Sequence, residues 1–291
     1  MTTKIAWIGF GEAGMALAGA LRHPDATAYD RKTDDDVLRP AILADYATCA
    51  VAPASTLEEA LTDATAVVSL VTADQAAIVA RQAAPFLAQS AWWFDLNSVA
   101  PDTKRDSARV IGPHYVDVAV MAPVLPAREA VPLLVSGDRA EDAAALLRAL
   151  GFATVTTMAG GVGAASAVKM IRSIMVKGIE ALSAECVLAA EAAGVRDAVI
   201  ASLDASWPDA RWAHRFDYNL DRMMVHGERR AAEMEEVVRT LDALGTGAPL
   251  ARATVERQRA IGRLSLAPPD RLDAKLSALL PPARLSAKGP A

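Results

Sequence analysis

The chain has 291 residues, more than one typical domain holds, so two domains are expected. A formal net charge of −5 leaves no cationic footprint for nucleic acid. The two cysteines, Cys49 and Cys186, stand too far apart to form a metal or redox motif, and with 53% apolar but only 5% aromatic residues the core must rest on Ala, Val and Leu.

The first element is a short apolar run, residues 4–8, leading into Gly9-Phe10-Gly11-Glu12-Ala13-Gly14 and then an Ala/Leu-rich segment, 15–21. That is a strand, a tight turn and a helix. Gly9 permits the sharp turn, Gly11 lets backbone approach a pyrophosphate, and Gly14 lets helix and strand pack closely. The helix N-terminus would then face the phosphates with free N–H groups. Glu12 and the glycines interrupt the apolar run, so it fails as a secretory signal and a cytoplasmic protein is expected. A second strand, 26–30, ends in Asp30, 21 residues after Gly9, where a carboxylate can accept both hydroxyls of a ribose. Asp30 favours NAD; the adjacent Arg31 and Lys32 would suit the 2′-phosphate of NADP.

Residues 46–52 read as a strand, 56–60 as a short helix, 66–71 as a buried strand, 74–87 as a helix and 92–96 as a strand that runs into a candidate site loop. Strands at 115–120, 133–136 and 154–156 follow, with a helix at 140–150 between the last two. Such alternation predicts an α/β domain, a doubly wound, mostly parallel sheet that binds ligands outside the carboxyl ends of its strands. The pattern changes at Gly160-Gly161-Val162-Gly163. A long helix over 164–193, stopped by Gly194, is followed by helices at 196–203, 212–224, 226–244 and 249–263. The boundary is placed near residue 158, giving a dinucleotide-binding domain over 1–158 and an all-α domain over 159–291. From Leu266 the tail, with Pro268-Pro269 and Pro281-Pro282, is expected to end in disorder. Residues 174–195 are apolar but carry Lys177, Glu180, Glu185 and Glu191, so no membrane span is expected.

Lys169 opens an otherwise apolar stretch of the long helix, with Ser166, Ser173 and Glu180 within about 60° of it on the helical wheel. Partial desolvation, with Arg172 and Lys177 nearby, would favour its neutral amine and make it a base; a solvated surface lysine is the plainer alternative. No metal-ligand spacing or G-x-S-x-G elbow is present, and the four histidines are scattered.

With its glycine loop, glycine pair and Lys169, the chain resembles the β-hydroxyacid dehydrogenase superfamily, which includes 3-hydroxyisobutyrate and 6-phosphogluconate dehydrogenases. The resemblance covers nearly the whole chain and implies an N-terminal Rossmann domain with a helical substrate and dimerisation domain behind it. It implies that Lys169 is the general acid/base at the substrate hydroxyl. It likens Asp95-Leu96-Asn97-Ser98-Val99-Ala100-Pro101 to the family's loop beside the nicotinamide, and Leu70-Val71-Thr72 to the loop near the adenosine ribose.

Asp117 to Pro123 would be the substrate loop, but Met121 stands for its serine, Ala122 and Pro123 for its glycines, and Ser173 for an asparagine after the lysine. Losing those small polar groups suggests a bulkier or less polar substrate. The run Arg222 to Glu236 is similar to a poorly characterised branch with a phosphogluconate dehydrogenase-like C-terminal domain. On one helix, His226, Arg230 and Glu233 would share a face and form a cationic anchor for substrate; an ion-paired surface with Glu228 and Glu233 against the arginines is the equal alternative. The expected activity is hydride transfer between NAD(P) and a hydroxy acid or related alcohol, in a homodimer joined through the helical domain. The alternatives are an NADPH-dependent imine or ketone reductase, a group that commonly lacks the lysine, and a non-catalytic dinucleotide-binding protein.

Overall fold

The computed structural model describes residues 3–280. The chain divides into two compact units, 1–170 and 171–291, the division falling inside the long helix after Met170.

In the first unit the strands are β1 (Ile5–Ile8), β2 (Ala26–Tyr29), β3 (Ala52–Pro53), β4 (Ala66–Ser69), β5 (Trp92–Asp95), β6 (Tyr115–Val120), β7 (Leu133–Ser136) and β8 (Val155–Thr157). They form one sheet in the order β3-β2-β1-β4-β5-β6-β7-β8. Six strands run parallel; β7 lies antiparallel to β6, and β8 is parallel to β7. The order reverses between β1 and β4, so the loops leaving these strands form the crevice where such sheets bind ligands. β1, β4 and β6 are buried along their whole length, as strands covered on both faces must be. Trp7, Phe10, Phe94 and Val118 anchor one core, and Ile8, Val67 and Trp93 the other.

The helices of this unit are α1 (Glu12–Leu21), α2 (Arg39–Thr48), α3 (Leu57–Leu61), α4 (Ala73–Ala83), α5 (Pro101–Ile111), α6 (Val124–Ala127) and α7 (Ala140–Ala149). The strand expected over 46–52 is instead the end of α2, a turn and the two-residue β3. Pro40 opens α2, and Ile42 and Tyr46, four residues apart, form its buried face; that is helical spacing. The loop expected after β5 is present over residues 96–100, and α5 follows it, started by Pro101.

Then follow α8 (Ala164–Ala192), α9 (Arg196–Ser206), α10 (Trp212–Leu244), α11 (Pro249–Gly262) and α12 (Leu272–Leu279). Gly194 ends the first of these near φ +70°, a left-handed stop. The two helices expected over 212–224 and 226–244 are one, because Met223, Gly227, Arg230, Ala231 and Met234 continue a single buried stripe past Val225. In the second unit Ala184, Val187, Phe216, Leu220, Met223, Ile261 and Leu276 form the core. The tail from Leu266, expected to end in disorder, first carries α12, held by Lys275 Nζ 2.9 Å from Asp217. Pro281-Pro282 and the residues after them lie outside the described residues. No described helix is long and apolar enough to cross a membrane.

Candidate cofactor and catalytic site

The glycine loop follows β1 at the reversal of strand order. Gly9 has φ +88°, and a Cβ there would stand 2.5 Å from the Leu70 carbonyl oxygen. A Cβ on Gly14 would stand 2.7 Å from the Gly9 carbonyl oxygen. At Gly11 nothing lies within 4 Å of the Cβ position, so the backbone here borders open space at the start of α1. That open backbone, at the positive end of a helix, fits the pyrophosphate of a dinucleotide. Glu12 is exposed and Ala13 partly buried in the first turn.

Phe10 contributes in a way the motif does not show. Its ring is buried edge-on to Tyr46, 4.8 Å between centroids, while its N–H donates to Asp30 Oδ2 at 2.7 Å. Asp30 Oδ1 accepts the Lys32 N–H at 2.9 Å. The carboxylate after β2 is thus held toward the glycine loop, with the Arg31 and Lys32 side chains exposed beside it.

After β4, Leu70 and Val71 pack against the two cores. The Thr72 hydroxyl, and then the Gln75 amide, hold the Asp74 carboxyl below its ordinary range. After β5, Asn97 spends its side chain on the end of β4 and the segment after it, accepting the Val71 N–H at 2.7 Å and donating to Ser69 Oγ at 3.0 Å. Ser98 then meets Lys169, whose Nζ lies 2.5 Å from its Oγ. Seventy-one residues of sequence separate the two. After β6, the Met121 N–H donates to the Pro132 carbonyl at 2.9 Å, and Ala122 packs on the core.

Ser173, His226 and Arg230 lie in the second unit. Arg230 is only 7% exposed; its guanidinium forms a two-pronged ion pair with Glu180, Nε to Oε2 at 2.8 Å, and Gln258 donates to the same carboxylate at 2.9 Å. Lys177 pairs with Glu233 at 2.7 Å and lies 3.4 Å from Ser173 Oγ. Arg230 therefore takes a partner fifty residues away rather than the neighbouring Glu228 or Glu233. A buried carboxylate needs a compensating charge more than an exposed one does.

No motif or spacing in the sequence marks Lys104. It has no exposed surface and lies between Asp95 and Asp117, 2.9 and 3.5 Å from their carboxylates. Amid Pro101-Asp102-Thr103-Lys104-Arg105-Asp106 it reads as one of several surface charges, and only its place on α5 turns it inward.

The family model described as the NAD binding domain of 6-phosphogluconate dehydrogenase matches residues 4–161. The chain belongs to this 6-phosphogluconate dehydrogenase-like family. Residues 190–261 match a second family, DUF1932, described only as a domain of unknown function. No curated protein matches the chain. Among solved structures, a conserved hypothetical protein from Sinorhizobium meliloti 1021 is 38% identical, with 96% of each chain covered and a TM-score of 0.73. A 3-hydroxyisobutyrate dehydrogenase from Mycobacterium tuberculosis, solved with L-serine, is 16% identical over 96% of this chain and 99% of that one, with a TM-score of 0.73. An imine reductase from Streptomyces aurantiacus is 20% identical over 96% and 100%, with a TM-score of 0.54. The last two likenesses are of fold alone. Family membership makes residues 4–161 an NAD(P)-binding domain of oxidoreductase type.

Proposed function

We propose that this protein is an NAD(P)-dependent dehydrogenase acting on the carbinol carbon of a hydroxy acid or related alcohol, with Lys169 as general acid/base. The observation that carries the reading is the 2.5 Å contact between Lys169 Nζ and Ser98 Oγ, on the loop that leaves β5. A buried or half-buried amine held by a hydroxyl is placed for proton transfer, which a solvated surface lysine is not.

Gly9, Gly11 and Gly14 would hold the pyrophosphate and Asp30 the adenosine ribose. The bound nicotinamide supplies the hydride acceptor in oxidation and the donor in reduction. In oxidation, neutral Lys169 takes the hydroxyl proton of the substrate; in reduction its ammonium returns one to the carbonyl oxygen. Ser98 fixes the direction of the amine in both. The lysine also argues against the imine-reductase alternative, whose members commonly lack it. NAD is favoured over NADP by the Asp30 carboxylate, held toward the glycine loop by the Phe10 N–H. Met121 and Ala122 in the place of small polar groups support a less polar substrate than a short hydroxy acid.

The test is Lys169→Ala on an enzyme screened against hydroxy acids and alcohols. Turnover should fall about 10²–10⁴-fold while NADH or NADPH binding, followed by tryptophan quenching, is retained. Turnover equal to wild type would sink the assignment.

The second part of the proposal is a homodimer formed through the helical unit. Ile171, Met175 and Leu182 recur along one side of α8 at 47%, 64% and 66% exposure, an apolar stripe that a second copy would cover.

A further inference from the structure

Asp95, Lys104 and Asp117 are charged side chains with essentially no solvent exposure, carried on β5, α5 and β6. Lys104 Nζ donates to the Asp95 carbonyl oxygen at 2.6 Å and to its carboxylate at 2.9 Å. Asp95 and Lys104 bracket the segment that carries Asn97 and Ser98, so this contact closes the segment on itself. The Tyr115 hydroxyl at 2.7 Å and the Asn97 N–H at 2.9 Å complete the shell of Asp95.

Asp117 faces the other way. It lies 3.5 Å from Lys104, and its carboxylate accepts the Gly163 N–H at 3.0 Å, the Ser166 N–H at 3.1 Å and the Ser166 hydroxyl at 2.6 Å. The Ser136 hydroxyl donates to it at 3.1 Å and accepts the Ala165 N–H at 2.9 Å. These are amides at the opening of α8, which have no partner within the helix and favour a negative charge beside them. Gly163 allows the close approach: its φ is +99°, and a Cβ would stand 3.1 Å from the Pro101 carbonyl oxygen. Lys169 follows Ser166 by one turn.

One buried ammonium therefore joins two carboxylates, one tied to the Ser98 loop and the other to the start of the Lys169 helix. Buried ion clusters are poor sources of net stability, so geometry is the better reason to keep one here. We propose that Lys104 and Asp117 are positioning residues that hold the Ser98 loop and the first turn of α8 in one arrangement, so that the Lys169 amine meets the Ser98 hydroxyl. The proposal rests on the acid/base role of Lys169.

The experiment is competitive acetylation of the full chain across a pH series, with Lys169 read by peptide mass spectrometry and exposed Lys32 as internal reference. Wild type is compared with Asp117→Asn and Ser166→Ala, and thermal melts and NADH titrations accompany each. In variants that melt cooperatively, the Lys169 labelling midpoint should move by about half a pH unit or more while Lys32 stays put. A Lys169 curve that superimposes on wild type in folded Ser166→Ala overturns the proposal, and so does an equal shift at Lys32. If Asp117→Asn does not fold, Ser166→Ala carries the test alone, since it removes one hydroxyl and leaves the carboxylate in place. Labelling needs no substrate, so failure of the acid/base assignment would show in the turnover of Lys169→Ala and not here.

Discussion

Tyr29, Tyr46 and Tyr115 each hold their phenolic proton unusually tightly, and for related reasons. Burial comes first in all three. The hydrogen bond to Asp34 adds to it at Tyr29, pushed up to about 12, and the charge of Asp30 adds to it at Tyr46. Tyr115 is raised well above its ordinary value, with Asp95 adding to burial. Above pH 10 the unfolded chain gives up tyrosine protons that the folded chain keeps. Their contribution to stability is therefore complete below pH 10; that of Tyr29 is lost as pH climbs through about 12, and that of Tyr46 and Tyr115 is lost higher still. Urea midpoints should fall as pH is raised from 9 to 11, and Tyr46→Phe should flatten that fall. A slope unchanged by the substitution would mean Tyr46 ionises alike in both states. The glycine loop was legible because turn chemistry is local: at Gly9 and Gly14 a Cβ would meet backbone, while Gly11 borders open space. Lys104 was not legible, because nothing in its neighbours tells a buried lysine from an exposed one.

At the scale of elements, α10 and α11 cross where two glycines meet. A Cβ on Gly227 would stand 2.5 Å from the Gln258 carbonyl oxygen and 2.8 Å from Gly262 Cα, and a Cβ on Gly262 would stand 2.5 Å from the Glu228 nitrogen. Backbone blocks both positions, so no rotamer change relieves the clash. Gly227→Ala should destabilise the helical unit by about 1–3 kcal/mol, despite the better helix propensity of alanine. A chemical melt checks it; an unchanged or raised midpoint would show that the crossing can open. Periodicity located most of these elements, but it missed α5, α6 and α12, read the end of α2 and the turn into β3 as a strand, and divided α10 in two. The short edge strand β3 has too few residues to carry a period, and the stripe of α10 runs past an exposed Val225 that looks like an interruption.

For the whole molecule, the proposed dimer gives the next test. Met175→Glu places a charge on the exposed apolar stripe of α8 and should shift the mass measured by light scattering from dimer toward monomer, without lowering the melting temperature of the first unit. A wild-type protein that is monomeric at tens of micromolar would end that part of the proposal. The buried pair Arg230–Glu180 and the partly buried pair Lys177–Glu233 join α8 to α10 inside the helical unit, where the sequence suggested a ligand-facing cationic stripe with a local ion-paired face as its rival. Neither partner choice follows from helix spacing, because both acceptors and donors come from different helices.

Taken by itself, the sequence determined what depends on near neighbours: a strand, glycine turn and helix at the start, an acid after the second strand, and the change from alternating strands to helices after residue 160. Hydrophobic period and turn chemistry act over a few residues, so they can be read along the chain. Tertiary structure alone decided which side chains meet across long stretches of it. Lys169 reaches Ser98, Lys104 joins Asp95 to Asp117, and Arg230 finds Glu180, since burying a charge is tolerable only where folding brings its partner within hydrogen-bond distance.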